Sequence, residues 1–194
     1  MSSYSITNDK RMHVIGFAFA VSAIIYYCID QYILTPYKPS DNPPLDMLFL
    51  ILPITVLVIA NILMRIFRPI IFLYCGIHNL SGIYKGFLKS SYTNFSIEIP
   101  LEVRIRQTLF KMDIDFDTGT SSSHNKSAHL ECNNEDGEIT YIYHNRGWDD
   151  NHIINSHTGT AVMRINNKKV SGRYYNDPRD RDTYGLFELE FYSR

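Results

Sequence analysis

The sequence predicts a membrane-anchored all-β protein: two N-terminal transmembrane helices followed by an up-and-down barrel of about eight strands. Three observations predict it. Two apolar runs of about 20 residues lie within residues 1–66. From residue 80 onward, apolar and polar residues alternate with a period of two. Charge divides at the same place: residues 1–79 hold only Lys10, Arg11, Lys38, Arg65 and Arg68 as bases and Asp9, Asp30, Asp41 and Asp46 as acids.

The first run, 13–34, carries no charge until Asp30, and the second, 45–66, none before Arg65 except Asp46. Each is long enough to cross a hydrocarbon core of ~30 Å at ~1.5 Å per residue. Neither shows the polar face of a helix lying on a soluble core. The first run is also longer than the ~7–15 apolar residues of a cleaved leader, which favours an uncleaved helix. The link between the runs, "TPYKPSDNPP" (35–44), is short and nearly neutral, so the two spans form an antiparallel hairpin. Lys10 and Arg11 precede it, and Arg65 and Arg68 follow it. The positive-inside rule then places both termini in the cytoplasm, with residues 1–12 as a tail and 67–79 as an apolar connector.

The β region spans 80–194. "GIYKGFL" opens it with Gly82-x-Tyr84-x-Gly86. "FSIEIPLEVRIR" puts Ile97, Ile99, Leu101, Val103 and Ile105 on one face, and "KMDIDFDT" sets Met112, Ile114, Phe116 and Thr118 against three aspartates. A weaker strand, "SSSHNKSAHLEC", precedes "GEITYIYHN", "HTGTAVMRIN", "KVSGRYYND" and "YGLFELEFY". Turn-like "NNKK" and "NDPRDRD" separate the last three. Eight short strands with one apolar face each suit a closed sheet, which leaves no edges, and an eight-stranded barrel has room inside for side chains or one small ligand.

Composition excludes several function classes. A net charge of -1 gives no field for a DNA or RNA polymer. Cys28, Cys75 and Cys132 are far apart and form no zinc or disulfide pattern. No nucleophile elbow, zinc-protease helix or phosphate loop is present, so no catalytic residue and no cofactor is assigned. "HNRGWDDNHIINSH" gathers His144, Asp149, Asp150, His152 and His157, but its spacing matches no metal motif, and a polar hairpin loop is the simpler reading. By strand parity Tyr84, Tyr141, Tyr143 and Tyr174 face inward, with Gln107, Thr118 and Asn145 on the same faces. Tyrosines around one cavity suit a planar polar ligand held by stacking. Among the six arginines at 104, 106, 164, 173, 179 and 181, alternation points several outward; Arg181, near a strand end, is the candidate for a phosphate.

The order of elements, with "LSGIYKG" (80–86), "IRQTLFKMDIDFDTGTSSS" (105–123), "ITYIYHN" (139–145), "HTGTAVMRI" (157–165) and "VSGRYYNDPRDRDTYGLFEL" (170–189), resembles the membrane-anchored β-barrel effectors of bacterial CBASS antiphage defence, the CD-NTase-associated effectors with two transmembrane helices. The Gly82-x-Tyr84 element is also similar to the lipocalin opening motif, with Tyr in place of Trp, and the family's barrel is a minimal lipocalin-like one. Leu109 departs from the family, which often carries Trp there. The resemblance implies a non-enzymatic receptor in the bacterial inner membrane. A partner CD-NTase makes a cyclic dinucleotide, the barrel binds it, the chains oligomerise, the bilayer is disrupted and the infected cell dies. The alternative reading is a membrane-tethered, lipocalin-like carrier of an apolar small molecule.

Overall fold

The computed structural model describes residues 2–7, 9–29, 31–32, 44–133, 136–147, 156–166 and 168–194. The chain divides into two compact units, a β unit of 1–8 with 76–194 and a helical unit of 9–75.

The helical unit holds α1 (Arg11–Ile29), α2 (Pro44–Ile66) and α3 (Arg68–Cys75). Asp9 starts α1: its carboxylate accepts from the Arg11 backbone N–H at 2.9 Å and from the Arg11 guanidinium, which holds the carboxyl below its usual range. α1 is long and apolar enough to cross a bilayer; Ile54–Ile66 and α3 meet that test only as a pair bent by 77°. Phe17, Ile24, Tyr27, Ile54 and Leu73 stand at the surface, Leu73 at 83% exposure. The expected 35–44 loop lies outside the described residues except for Pro44.

The β unit is a closed barrel of nine strands: β1 (Ser2–Ile6), β2 (Gly82–Ser90), β3 (Ile99–Gln107), β4 (Lys111–Asp117), β5 (Ser121–Asn133), β6 (Asp136–Gly147), β7 (His157–Asn166), β8 (Lys169–Asn176) and β9 (Tyr184–Ser193). From β2 to β9 it is an up-and-down meander, and β2 pairs with β9 to close it. All eight sequence-predicted strands are present. β3 starts at Ile99 rather than Phe95, because a 3-10 turn at Ser91–Thr93 ends with Asn94 and Phe95 at φ of 49° and 58°. Left-handed backbone breaks the extended chain there and leaves Ile97 more than half exposed.

The ninth strand corrects two expectations. Residues 2–6 are part of the barrel rather than of a tail, and the count is nine rather than eight. β4 and β5 pair only at Asp115–Asp117 against Ser122–His124 and then separate. β1 fills the gap, antiparallel to β4 at Ser2–Met112 and parallel to β5 at Tyr4–Ala128 and Ile6–Leu130. A bulge in β5 between Asn125 and Ser127 marks the fork. Asn125 satisfies the backbone there: it accepts from the Ile114 N–H at 2.9 Å and donates to the Met112 carbonyl and to Ser2 Oγ. Tyr4 and Ile6 point inward and are buried.

The barrel has two unlike rims. The lower rim carries the β3–β4, β5–β6 and β7–β8 turns. Both connections to residues 9–75 leave from it, because β1 ends and β2 begins there. The upper rim carries segments 91–98, 118–120 and 177–183. The interior of the lower half is solid: Val103, Met112, Ile114, Leu130, Ile139 and Met163 are all at 0% exposure.

Candidate functional site

The upper half of the barrel is a cup of about 360 Å³. Alternation makes it. The inward residues that follow the packed layer are Phe116 on β4, Ser123 on β5, Tyr141, Tyr143 and Asn145 on β6, His157 on β7, Tyr174 and Asn176 on β8, and Phe187 on β9. Its floor is aromatic. Phe116 stacks on Tyr141 with centroids 5.6 Å apart at 29°, and Phe187 meets Phe116 edge-on at 5.5 Å.

Two glycines make room for the wall rings. Gly159 pairs with Tyr143, and a Cβ added at Gly159 collides with that ring; Gly185 stands in the same relation to Tyr174. Each tyrosine ring therefore lies across a glycine on the neighbouring strand, which fixes its tilt into the cup. The Tyr143 hydroxyl donates to Asn176 Oδ1 at 2.6 Å, and Asn176 Nδ2 donates to Thr183 Oγ1 at 2.6 Å. Asn145 Nδ2 and His157 Nε2 are 3.4 Å apart. Tyr141 is at 2% exposure, yet its hydroxyl has no hydrogen-bond partner among the described residues. Burial raises the pKa of Tyr141, Tyr143 and Tyr174, so all three are neutral donors at physiological pH.

The mouth is set by the 177–183 turn. Asp177 accepts from the Arg181 and Asp180 backbone N–H groups through its carbonyl, and its carboxylate grips the Arg179 guanidinium at 2.7 Å. That contact holds the Asp177 pKa down, at about 2. Arg179 is thereby spent on the turn itself, and Arg181 is presented to the cup, its guanidinium 4.8 Å over the Tyr92 ring. Outside the barrel, Arg104 pairs with Glu102, Arg106 with Asp113 and Asp115, and Arg164 with Glu138.

Six of the sequence-predicted site residues meet in the cup: Thr118, Tyr141, Tyr143, Asn145, Tyr174 and Arg181. Two are placed elsewhere. Tyr84 lies in the lower half, its hydroxyl donating to the Leu80 carbonyl at 3.0 Å and its ring edge-on to Phe191. Gln107 is a clasp at the lower rim: Oε1 accepts from the Leu80 N–H at 2.9 Å, while Nε2 donates to Tyr4 Oη, which itself donates to the Thr108 carbonyl. Parity gave their inward direction, but not which half of the barrel each strand position occupies. Sequence reasoning missed Tyr92, His157 and Asn176 as lining residues. His157 carried a signal, being in phase with Gly159, Ala161 and Met163. The expected His/Asp loop is divided: His144 faces outward beside Ser156, His157 faces inward, and Asp149, Asp150 and His152 lie outside the described residues.

A closed barrel with an aromatic floor, hydrogen-bonding walls and Arg181 at its open mouth has the features of a receptor for a small aromatic anion. The family model for the Cap15 cyclic dinucleotide receptor domain matches residues 76–190, more than half of the chain, and the protein belongs to that family. It is a cyclic-dinucleotide receptor of the CBASS effector type. No curated protein sequence matches the chain.

Proposed function

We propose that the cup binds a cyclic dinucleotide made by a partner CD-NTase, and that occupancy drives chains to associate and their apolar helices to disrupt the bacterial inner membrane, ending in abortive infection. The observation that carries this reading is the cup itself. Within the matched domain it joins stacking surfaces (Phe116, Tyr141), base-edge donors and acceptors (Tyr143, Asn145) and a phosphate partner (Arg181). The exposed apolar side chains of α1 and of Ile54–Cys75 support a bilayer as the surroundings of the helical unit, and the basic flanks Lys10, Arg11, Arg65 and Arg68 support a multi-pass arrangement with both termini cytoplasmic. A ligand moves such an equilibrium only by binding one state better than the other, so association has to be linked to occupancy.

Full-length protein reconstituted in dye-loaded vesicles tests the reading. Addition of a cyclic dinucleotide is expected to release dye and to shift the protein to larger species in cross-linking. The Arg181→Ala protein is expected to need roughly ten-fold more ligand, the equivalent of ~1.4 kcal/mol. Ligand binding without dye release or association would leave a receptor but remove the membrane effector.

A further inference from the structure

The fork between β4 and β5 holds a strand that the rest of the barrel does not supply. β2 to β9 follow one another along the chain, whereas β1 reaches the barrel only by way of residues 9–75. The fork keeps its span without β1. Asp115–Asp117 pair with Ser122–His124 at its apex, and below them Asn125 of β5 accepts from the Ile114 N–H at 2.9 Å and donates to the Met112 carbonyl at 3.2 Å, both on β4. Side chains then recognise the strand that enters. Tyr4 Oη donates to the Thr108 carbonyl at 3.1 Å and accepts from Gln107 Nε2 at 3.4 Å. The two ring nitrogens of His129 meet Ser5 Oγ at 2.8 Å and Thr7 Oγ1 at 3.1 Å. Tyr4 and Ile6 are buried. The hinge behind the strand is short. The Thr7 N–H still bonds to the Leu130 carbonyl at 3.2 Å and Asp9 already caps α1, so Asn8 alone lies between. A connection this short favours exchange of a strand between copies.

Resting on the reading that occupied chains associate, we infer that they do so by strand exchange: β1 of one copy seats in the β4–β5 fork of another. The partner is a second copy of this chain, and the contact is the one β1 already makes, with Tyr4 and Ile6 inward and Ser5 and Thr7 on His129. Elsewhere the barrel strands pair with their neighbours, so among the described residues the fork is where another chain can add a strand. Exchange conserves the hydrogen bonds of the seat. Own and foreign strands are therefore close in energy, and chain density and occupancy decide between them. Occupancy has a route to the fork. Phe116 and Ser123 stand opposite each other in its apex and both line the cup, so a ligand there bears on the pair that fixes the width of the seat.

The experiment mixes two full-length chains in vesicles, one carrying Ser5→Cys and the other His129→Cys, which are register partners of β1 and β5. A panel of cyclic dinucleotides spanning purine and pyrimidine bases is added, followed by mild oxidation and peptide mass mapping. A disulfide between positions 5 and 129 then joins two different chains, and it is expected to accumulate on ligand addition together with the larger species. In the companion chain carrying both Ser5→Cys and His129→Cys, oxidation before ligand locks β1 into its own fork. Ligand-induced association is expected to be lost in the locked form and restored by reductant. Larger species without the 5–129 link, a locked chain that associates like the wild type, or a link equally abundant in unassociated protein overturns the inference and leaves the receptor intact. A panel that binds the wild-type chain but yields no larger species overturns the association reading on which the inference rests.

Discussion

Below Tyr141 the barrel is filled by Met112, Ile114, Leu130, Ile139 and Met163, and above it the same strands present Tyr143, Asn145, His157, Asn176 and Ser123 to an open cup. Both halves obey one alternation of inward and outward residues, so the backbone does not distinguish them. The side chains do. Branched and flexible apolar groups interdigitate and exclude space. Flat rings laid across Gly159 and Gly185 stand off from one another and leave space that only a ligand or water can fill. The packed half also receives both connections to residues 9–75, and Gln107 bridges them by holding Tyr4 of β1 and the Leu80 backbone at once. The lower half is therefore the stable base of the barrel, and the upper half is its receptor.

If this division is right, stability and affinity respond to different residues. The largest expected effect is on the packed side. Met163→Ala removes a fully buried side chain and is expected to cost about 2–5 kcal/mol of barrel stability. Its chemical or thermal midpoint, followed by tyrosine fluorescence of the full chain in detergent, should fall. The ligand affinity of the folded fraction should stay as it was. A loss of affinity matching the loss of stability would show that base and receptor are one cooperative structure. Next in size is Gly159→Ala. The added methyl meets the Tyr143 ring and forces it to move, with overpacking costs of about 1–3 kcal/mol. Here affinity should fall with stability, because the displaced ring is part of the cup wall.

The packed half was the more legible in the sequence. Met112, Ile114, Ile139 and Met163 follow a strict period of two, and their burial needed no knowledge of neighbours. The cup was legible residue by residue but not in height. Tyr84 and Tyr141 carry the same parity, yet one sits among Leu80 and Phe191 and the other on the cup floor. Only register between strands decides that, and register depends on turn geometry and the β5 bulge. β1 was the least legible element. Five residues with two inward side chains carry little periodic signal, and the strand forms only because the β4–β5 fork leaves unpaired backbone for it to meet. Arg181 stood out near a strand end, but its availability comes from the turn that ties Arg179 to Asp177.

Within the cup, the arginine and the floor hydroxyl grade the next two effects. Arg181→Ala is expected to weaken ligand binding by roughly ten-fold, about 1.4 kcal/mol, and to flatten its dependence on salt. Arg181→Lys should recover part of this, since a lysine keeps the charge but not the planar fork. An Arg181→Ala protein with unchanged affinity would place the phosphate elsewhere. Tyr141→Phe keeps the stacked ring and removes only the hydroxyl, so a smaller loss of about 0.5–1.5 kcal/mol in binding is expected, with no loss of stability, because that hydroxyl has no partner among the described residues. A less stable Tyr141→Phe protein with full affinity would make the hydroxyl part of the core.

The smallest effect separates the two halves by pH. Burial raises the pKa of Tyr84 below and of Tyr141, Tyr143 and Tyr174 above, relative to the ordinary value of 10.0. In each case the folded protein holds the phenol proton more firmly than the unfolded chain. The resulting stability is fully present below pH 10.0 and is lost as pH rises above it toward the folded values. Three of the four groups lie in the cup, and among them Tyr143, whose pKa burial raises, also commits its proton to Asn176. The unfolding midpoint of the ligand-free protein should therefore decline on the alkaline side. The slope of that decline should shrink in Tyr143→Phe, even though this protein starts from a lower midpoint through loss of the Asn176 hydrogen bond. An alkaline slope unchanged by Tyr143→Phe but abolished by Tyr84→Phe would locate the sensitive phenol in the packed base, and the cup would then be open enough to water for its tyrosines to titrate as they do in solution.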